Sequence, residues 1–388
     1  MLDLENTEIA FKHKTDKDLK RAEFMFRLMA NPAMVSINKV LAGLALAIRF
    51  PVGWAVKPLL YKQFVGGETI GKCKYVVDTL GSYGVKSILD YSVEGSDNEQ
   101  LITQALNETI RSVKNAGREP DIPFAVFKPT AFGDEEMLQK ASSNTPLTEK
   151  DEQNRERFYK RVLKLCETAY AHDVPILIDA EDYAYQAHID SVVEAMMEKF
   201  NTKKPVVWNT LQMYRKDRLK YLEDSIRRAG ERGYFYGAKF VRGAYMEQER
   251  ARAKRMGYED PIQPDKASTD RDYNAALKYS AENIDKVSVF NGTHNEESTL
   301  YLTELMEQNH IDKEDPRIFF SQLYGMSDHI SFNLAAAGYN VAKYVPYGPV
   351  RQVLPYLIRR AEENTSVKGQ TGRELSLILK EKRRRKIA

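Results

Sequence analysis

Between residues 85 and 348 the chain passes eight times through a short segment rich in β-branched and aromatic residues, each followed by helical spacing. The segments are Val85 to Ser92, Phe124 to Phe132, Pro175 to Glu181, Val206 to Tyr214, Gly237 to Tyr245, Val287 to Asn295, Arg317 to Met326 and Val341 to Gly348. Most stay apolar until their last few residues, which are polar. A strand buried on both faces reads as a continuous apolar run, and parallel strands flanked by helices are buried in that way. Eight such units over about 280 residues fit an α/β fold of the TIM-like (β/α)8 barrel type in number and length. A doubly wound open sheet is the other arrangement that alternating strands and helices allow.

A barrel makes a demand on the sequence, because its catalytic groups sit where strands end and βα loops begin. The runs end in Lys128-Pro-Thr, Asp179-Ala-Glu-Asp, Gln212-Met-Tyr, Arg242-Gly-Ala-Tyr, Thr293-His-Asn and Tyr344-Val-Pro-Tyr-Gly. These polar and aromatic groups suit a single mouth. Lys128, Asp179 and Lys239 are charged groups at such ends, where burial is costly without a partner or a substrate. Pattern alone leaves each open between function and a structural salt bridge.

Residues 1 to about 80 carry no strand signal; Met25, Leu28 and Met29 fall at helical spacing, with a break at Asn31-Pro32. The expected organisation is a helical arm over 1–80, a barrel over 81–369 and a basic tail over 370–388. Within the arm, Gly66-Gly-Glu-Thr-Ile-Gly71-Lys72 matches a phosphate-binding loop until its last position, where Cys73 replaces Ser or Thr. No strand precedes it, so a turn is the better reading. No Gly-x-Gly-x-x-Gly follows any of the eight runs, so a dinucleotide held in the Rossmann manner is not expected.

Lys plus Arg number 58 against 55 for Asp plus Glu, and six cations against Glu381 concentrate charge in the last nine residues. The remaining body carries about −2, which speaks against a nucleic-acid binder, whose basic stripe lies on the folded domain. The basic end is read as a solvated, frayed terminus, with contact to anionic lipid as the alternative. Cys73 and Cys166 are the two cysteines; they suit a reducing compartment and offer no disulfide or ligand spacing. The start lacks a signal-peptide run, and its lysines are interrupted by Asp3, Glu5, Glu8, Asp16, Asp18 and Glu23, so cytoplasmic synthesis and retention are expected. Val40 to Leu60 is the most apolar stretch, but Arg49, Pro51 and Lys57 break it, so it is expected to lie against a bilayer at most. None of the six histidines forms a His-x-x-x-His pair, and no metal is expected.

After the eighth run, Tyr356, Arg359, Arg360 and Glu363 fall at helical spacing. Adjacent arginines point about 100° apart, so two guanidinium groups can hold one carboxylate from different sides. Surface pairing of Arg359 with Glu363 fits the same spacing.

The segments Lys239-Phe-Val-Arg-Gly-Ala-Tyr245, Thr293-His-Asn295, Tyr344-Val-Pro-Tyr-Gly348 and Tyr356-Leu-Ile-Arg-Arg-Ala-Glu-Glu-Asn364 together resemble the proline dehydrogenase family. The resemblance runs in order from about Ser87 to Gly369 and takes in Gly257-Tyr-Glu-Asp-Pro-Ile-Gln-Pro264. It implies a distorted (β/α)8 barrel holding FAD, of the monofunctional type. It also implies oxidation of L-proline to Δ1-pyrroline-5-carboxylate, the first step of proline catabolism, with electrons passed to a membrane quinone through peripheral contact with the inner membrane. Carried over residue by residue, Arg359 and Arg360 bind the proline carboxylate with Lys128, while Asp179, Tyr245, Leu323, Tyr344 and Tyr356 line the pocket and Glu363 holds the last helix in place. The resemblance gives the flavin contacts to Gln212, Lys239, Arg242, Gly243, Ala244, Thr293 and His294.

The mechanism so implied is hydride transfer from proline C5 to flavin N5, with Lys128, Asp179, Lys239, Tyr245, Arg359 and Arg360 as the catalytic set. Some branches of the family carry Arg where this chain has Lys239; an ammonium keeps the charge without the guanidinium fork. Asp179 is a candidate base for the amine proton, and that role stays open. Relatives acting on 4-hydroxyproline tend to carry a smaller residue in place of Tyr344, so proline is the expected substrate. A binding module that kept the fold and an oxidase passing electrons to oxygen are the alternatives. Arm, barrel and tail use up the chain, so a separate pyrroline-5-carboxylate dehydrogenase is expected to take the product.

Overall fold

A computed structural model describes residues 2–29, 61–92, 98–350, 352–353, 356–357 and 370–387. The eight expected runs each hold a strand, and every strand stops short of the run's polar end. The strands are β1 (Val85–Tyr91), β2 (Ala125–Phe127), β3 (Ile176–Ile178), β4 (Val207–Gln212), β5 (Tyr236–Val241), β6 (Val287–Gly292), β7 (Ile318–Leu323) and β8 (Val341–Tyr347). The second is cut hardest because of Pro129, which lacks an N–H and opens a 3-10 turn, Pro129–Phe132, with Lys128 as its N-cap.

The strands run in the order β1-β8-β7-β6-β5-β4-β3-β2, and the pairings of β1 with β8 and of β2 through β7 are parallel. From β2 to β8 each strand neighbours the next in sequence, and β1 lies beside β8, which is the order of an α/β TIM-like fold and not of a doubly wound sheet. The chain divides into two compact units, Met1–Val93 with Gln322–Ala388, and Glu94–Ser321. This grouping crosses the arm, barrel and tail division expected along the chain.

In the unit Glu94–Ser321, helices start where the sequence supplies caps. The Asn98 side chain accepts from the N–H groups of Gln100 and Leu101, and Thr148 with Asp151 forms a capping box ahead of Glu149–Ala171. One face of the sheet is filled by aromatic rings packed edge to face. Phe124 meets Trp208 at 5.4 Å, Phe290 at 5.3 Å and Phe319 at 4.9 Å between centroids. Trp208 needs the glycine beside it, since a Cβ on Gly237 would come within 2.6 Å of the indole.

The strand period of two carries that face toward the polar ends. Leu177 pairs with Trp208 and Trp208 with Gly237; one step on, Thr210 pairs with Lys239. The same step from Val126 and Leu177 reaches Lys128 and Asp179. The face that is aromatic at one level is therefore charged at the next.

In the other unit, the helices Asp16–Met29 and Gln370–Arg384 share an apolar cluster with Phe11, Phe64, Val353 and Tyr356. The phosphate-loop lookalike is a turn: Thr69 caps the helix Ile70–Gly81, and Gly66 donates to the Pro346 carbonyl at 2.9 Å. The basic end, read as a frayed terminus, is instead a helix, and several of its cations pair with acids of the N-terminal segment and with Glu381. Lys382 pairs with Glu23 at 2.7 Å, and Arg385 with buried Glu381 at 2.6 Å and Asp16 at 3.3 Å. It folds because Leu377 and Ile378 bury its other side. The Val40 to Leu60 stretch and the Asn31-Pro32 break lie outside the described residues, among which no helix is long and apolar enough to cross a membrane.

Candidate active site

Three of the expected charged residues meet at the strand ends of Glu94–Ser321. Lys128 Nζ donates to Asp179 Oδ2 at 3.0 Å, and Lys239 Nζ donates to Asp179 Oδ1 at 2.6 Å. Their side chains are 23%, 14% and 7% exposed in the order Lys128, Asp179, Lys239. Burial alone would raise the Asp179 carboxyl, but the ammonium groups of Lys239 and Lys128 outweigh it and hold the group ionised, below the usual carboxylate range. Asp179 is therefore a poor proton acceptor, which weakens it as the base for an amine. Two ammonium groups thus stand at the strand ends, Lys128 the more exposed of them, as charged donors suited to an anion.

A level further along, Glu181 Oε1 accepts from the Thr130 hydroxyl at 2.7 Å and from the Thr130 N–H at 3.3 Å. The sequence reading passed over this pair. Thr130 lies in the 3-10 turn after β2, beyond the reach of strand alternation, so the spacing in the sequence carried no signal for this contact.

The loops after β4, β5 and β6 hold the next group. Arg242 Nε donates to Asp270 at 2.8 Å, and its two terminal nitrogens donate to Thr293 Oγ1 at 2.6 Å and to Ser298 Oγ at 2.9 Å. The guanidinium lies 4.3 Å over the Tyr273 ring. Its donors are thus occupied within the protein, holding Thr293 and His294 just ahead of the helix Glu296–Gln308, whose N-terminal amides suit an anion. Gly243 has φ +128°, and a Cβ there would fall within 2.5 Å of Tyr214, so the backbone of the exposed Gly243-Ala244 step stays open to close approach. Gln212 is buried, and its Oε1 has no hydrogen-bond partner among the described residues. A flat ligand bearing amide donors would satisfy that oxygen.

Tyr245 is half-buried at the start of the helix Met246–Met256. Three residues on from its N-terminus, Glu249 accepts from the Tyr183 N–H at 2.5 Å, which ties the segment after β3 to the segment after β5. Burial pushes the Glu249 carboxyl up to about 7, with the Tyr183 bond opposing.

The remaining expected residues belong to the unit that contains β8. Leu323 ends β7, and Tyr344 on β8 and Tyr356 are buried. Tyr356 and Leu323 pack with Phe64, Met326 and Val353. Arg359, Arg360 and Glu363 lie outside the described residues.

A parallel α/β barrel with two lysines gathered on one aspartate at its strand ends has the architecture of an enzyme whose site lies where the strands stop. The chain belongs to the proline dehydrogenase family: residues 73–373 match the family described as "Proline dehydrogenase". It is 36% identical over 329 residues to the carbapenem antibiotics biosynthesis protein CarD of Pectobacterium carotovorum, covering 85% of each chain. It is 32% identical over 412 residues to the hydroxyproline dehydrogenase of Xenopus laevis, covering 97% of this chain and 88% of that one. Proline utilization A of Bdellovibrio bacteriovorus, solved after inactivation by N-propargylglycine, has the same fold, with a TM-score of 0.73 at 21% identity over 93% of this chain. The chain spans 38% of that protein's length. The protein is accordingly a proline dehydrogenase-family enzyme.

Proposed function

We propose that the protein oxidises L-proline to Δ1-pyrroline-5-carboxylate with bound FAD and passes the electrons to a membrane quinone. The observation that carries this reading is the Lys128–Asp179–Lys239 cluster at the strand ends. FAD, when bound, supplies the acceptor for a hydride leaving proline C5. The residues that would hold it are Gln212, through its orphaned Oε1, Lys239, the open Gly243-Ala244 backbone, and Thr293 and His294 at a helix N-terminus. Arg242 serves that set by holding Thr293.

Lys128 orients the substrate by its carboxylate, a task the resemblance also gives to Arg359 and Arg360, while Asp179, Tyr245, Leu323, Tyr344 and Tyr356 shape the pocket and Glu363 steadies the last helix. Asp179 keeps both lysines charged and aimed. Lys239 places positive charge where electrons arrive. A cation clamp that fixes the ring in one pose removes much of the orientational cost of reaction.

Proline is proposed over 4-hydroxyproline in spite of the likeness to a hydroxyproline dehydrogenase, because Tyr344 is a bulky wall residue. A quinone acceptor calls for peripheral contact with a membrane. The C-terminal helix is a weak lure for anionic lipid, since Lys382 and Arg385 already have acidic partners. The product would pass to a separate pyrroline-5-carboxylate dehydrogenase.

The test is an anaerobic titration of the purified protein with L-proline, followed in the visible spectrum. Bleaching of a band at about 450 nm, common to flavins, is the expected result. A flavin band that persists would turn the reading to 4-hydroxyproline and other cyclic amines, and a colourless protein would turn it to a binding module. Faster turnover with oxygen than with a quinone would make it an oxidase.

A further inference from the structure

We propose that Glu181 is a positioning residue for substrate binding, a carboxyl whose proton sets the charge that the Lys128–Asp179–Lys239 cluster presents to an anionic ligand. The inference rests on the reading of Lys128 as a carboxylate-binding group.

Glu181 is fixed from two sides. Its side chain accepts the two Thr130 bonds, and Thr130 is two residues from Lys128. Its backbone N–H donates to Gln186 Oε1 at 2.7 Å; Gln186 in turn donates to Asp190 at 2.8 Å, and Asp190 holds Arg218 at 2.6 Å. A carboxyl so held, with the residue only 5% exposed, cannot swing out to water when it ionises. The charged groups that act on it are Lys128, from the end of β2, and Asp179, from the end of its own strand. Lys239 lies one step away, across Asp179, and Asp190 faces it only through Gln186, with its charge taken up by Arg218.

Burial pushes the Glu181 carboxyl up to about 7; the Thr130 bonds and Lys128 oppose this, and Asp179 adds to it. The consequence is a matter of charge. Protonation of Glu181 removes one negative charge from beside Lys128. An anion binds better to the protonated state, and by reciprocity its binding draws a proton onto Glu181. The signal is distinct from that of a merely structural carboxyl, whose loss would weaken binding at every pH alike.

The test uses the flavin-loaded enzyme and cyclopentanecarboxylate, which has the ring and carboxylate of proline without the amine, so that no substrate nitrogen titrates. Its Kd is measured by calorimetry from about pH 6 to about pH 8.5 in buffers of different ionisation enthalpy. The wild type is expected to weaken at least tenfold across that range, the scale of one charge acting within about 12 Å at a dielectric of about 20, and to take up protons on binding above neutral pH. Glu181→Gln should bind as tightly at the high end as at the low end, with no proton uptake. Thr130→Val removes the hydroxyl that favours the ionised form, so the inflection should move upward; this variant carries the test if the glutamine variant does not fold. Retention of the wild-type profile by the variants overturns the role of Glu181. A wild type that bleaches with proline but does not bind the carboxylate at any pH overturns the reading of Lys128, and this proposal with it.

Discussion

The molecule holds two groups of one aspartate between two lysines, and they are used differently. Asp179 stands between Lys128 and Lys239 at the strand ends. In the other unit, Asp328 stands between Lys14 at 3.0 Å and Lys343 at 3.0 Å. Lys343 is fully buried, and its other donors go to the Met326 and Leu323 carbonyls, so its three N–H bonds are all spent. Asp328 also faces His13 at 3.5 Å, whose ring stacks on Phe332 at 3.9 Å. Burial would raise Asp328, but Lys14 and Lys343 drive it well below the usual carboxylate range, while burial holds Lys343 and His13 below theirs. That group pins the N-terminal segment to the turn after β7, and its Lys343 has no donor left for a ligand. In the strand-end group Lys128 is 23% exposed. Charge composition alone does not separate a brace from a binding site; burial does.

The widest separation should come from removing one lysine from each group. Lys343→Met leaves Asp328 buried beside a lost partner, so it should cost about 3–5 kcal/mol, read from urea midpoints. Lys128→Met should cost less, about 1–2 kcal/mol, because Asp179 keeps Lys239 at 2.6 Å and Lys128 is itself 23% exposed. It should instead raise the KM for proline roughly 10- to 100-fold, the loss of a charged hydrogen bond to substrate. If Lys128→Met destabilises as much as Lys343→Met while its folded fraction keeps the wild-type KM, the strand-end group is a second brace and the comparison fails.

A smaller effect follows from pH. Glu181 has a folded value of about 7, raised above that of an exposed glutamate. Between about 4.5 and 7 the folded state therefore holds a proton that the unfolded state has lost, and stability must fall as pH rises through that window. The share of Glu181 is about 3 kcal/mol, complete above neutral pH. The buried Glu249 acts with the same sign, whereas the depressed Asp328 loses its contribution only in strong acid. Urea melts at about pH 5 and about pH 8 should show the fall, and Glu181→Gln should reduce it. An unchanged difference would mean that Glu181 is ionised throughout.

Much of this was legible in the sequence, for a physical reason. The apolar runs reported burial on both faces, and all eight hold strands. Their polar ends overshoot the strands at each of the eight, and the overshoot is where Lys128, Asp179, Thr293 and His294 sit. Partners set by the fold stayed hidden. Nothing local to Thr130 or Glu181 marks them as bonded; that needs the register of β2 against β3. The C-terminal cations read as a solvated tail because their partners, Glu23 and Asp16, lie more than 350 residues away. The Lys343 brace sits inside an apolar strand where a lone lysine gives no hint of Asp328.

The brace and a residue proposed for the pocket are consecutive on β8. Successive side chains on a strand point to opposite faces, so Lys343 serves the Asp328 group while Tyr344, the next residue, turns the other way. Tyr344→Ser therefore sharpens the comparison at its closest point. It removes a ring from the proposed pocket wall and leaves the Lys343 bonds in place, so stability should fall by no more than a cavity of that size allows, about 3–5 kcal/mol. The ratio of kcat/KM for 4-hydroxyproline over proline should rise roughly tenfold, since relief of a steric clash with one hydroxyl is worth about 1–2 kcal/mol. Steady-state assays of both substrates measure the ratio directly. An unchanged ratio in a stable variant would take Tyr344 out of the specificity argument and leave the hydroxyproline reading on equal terms with proline.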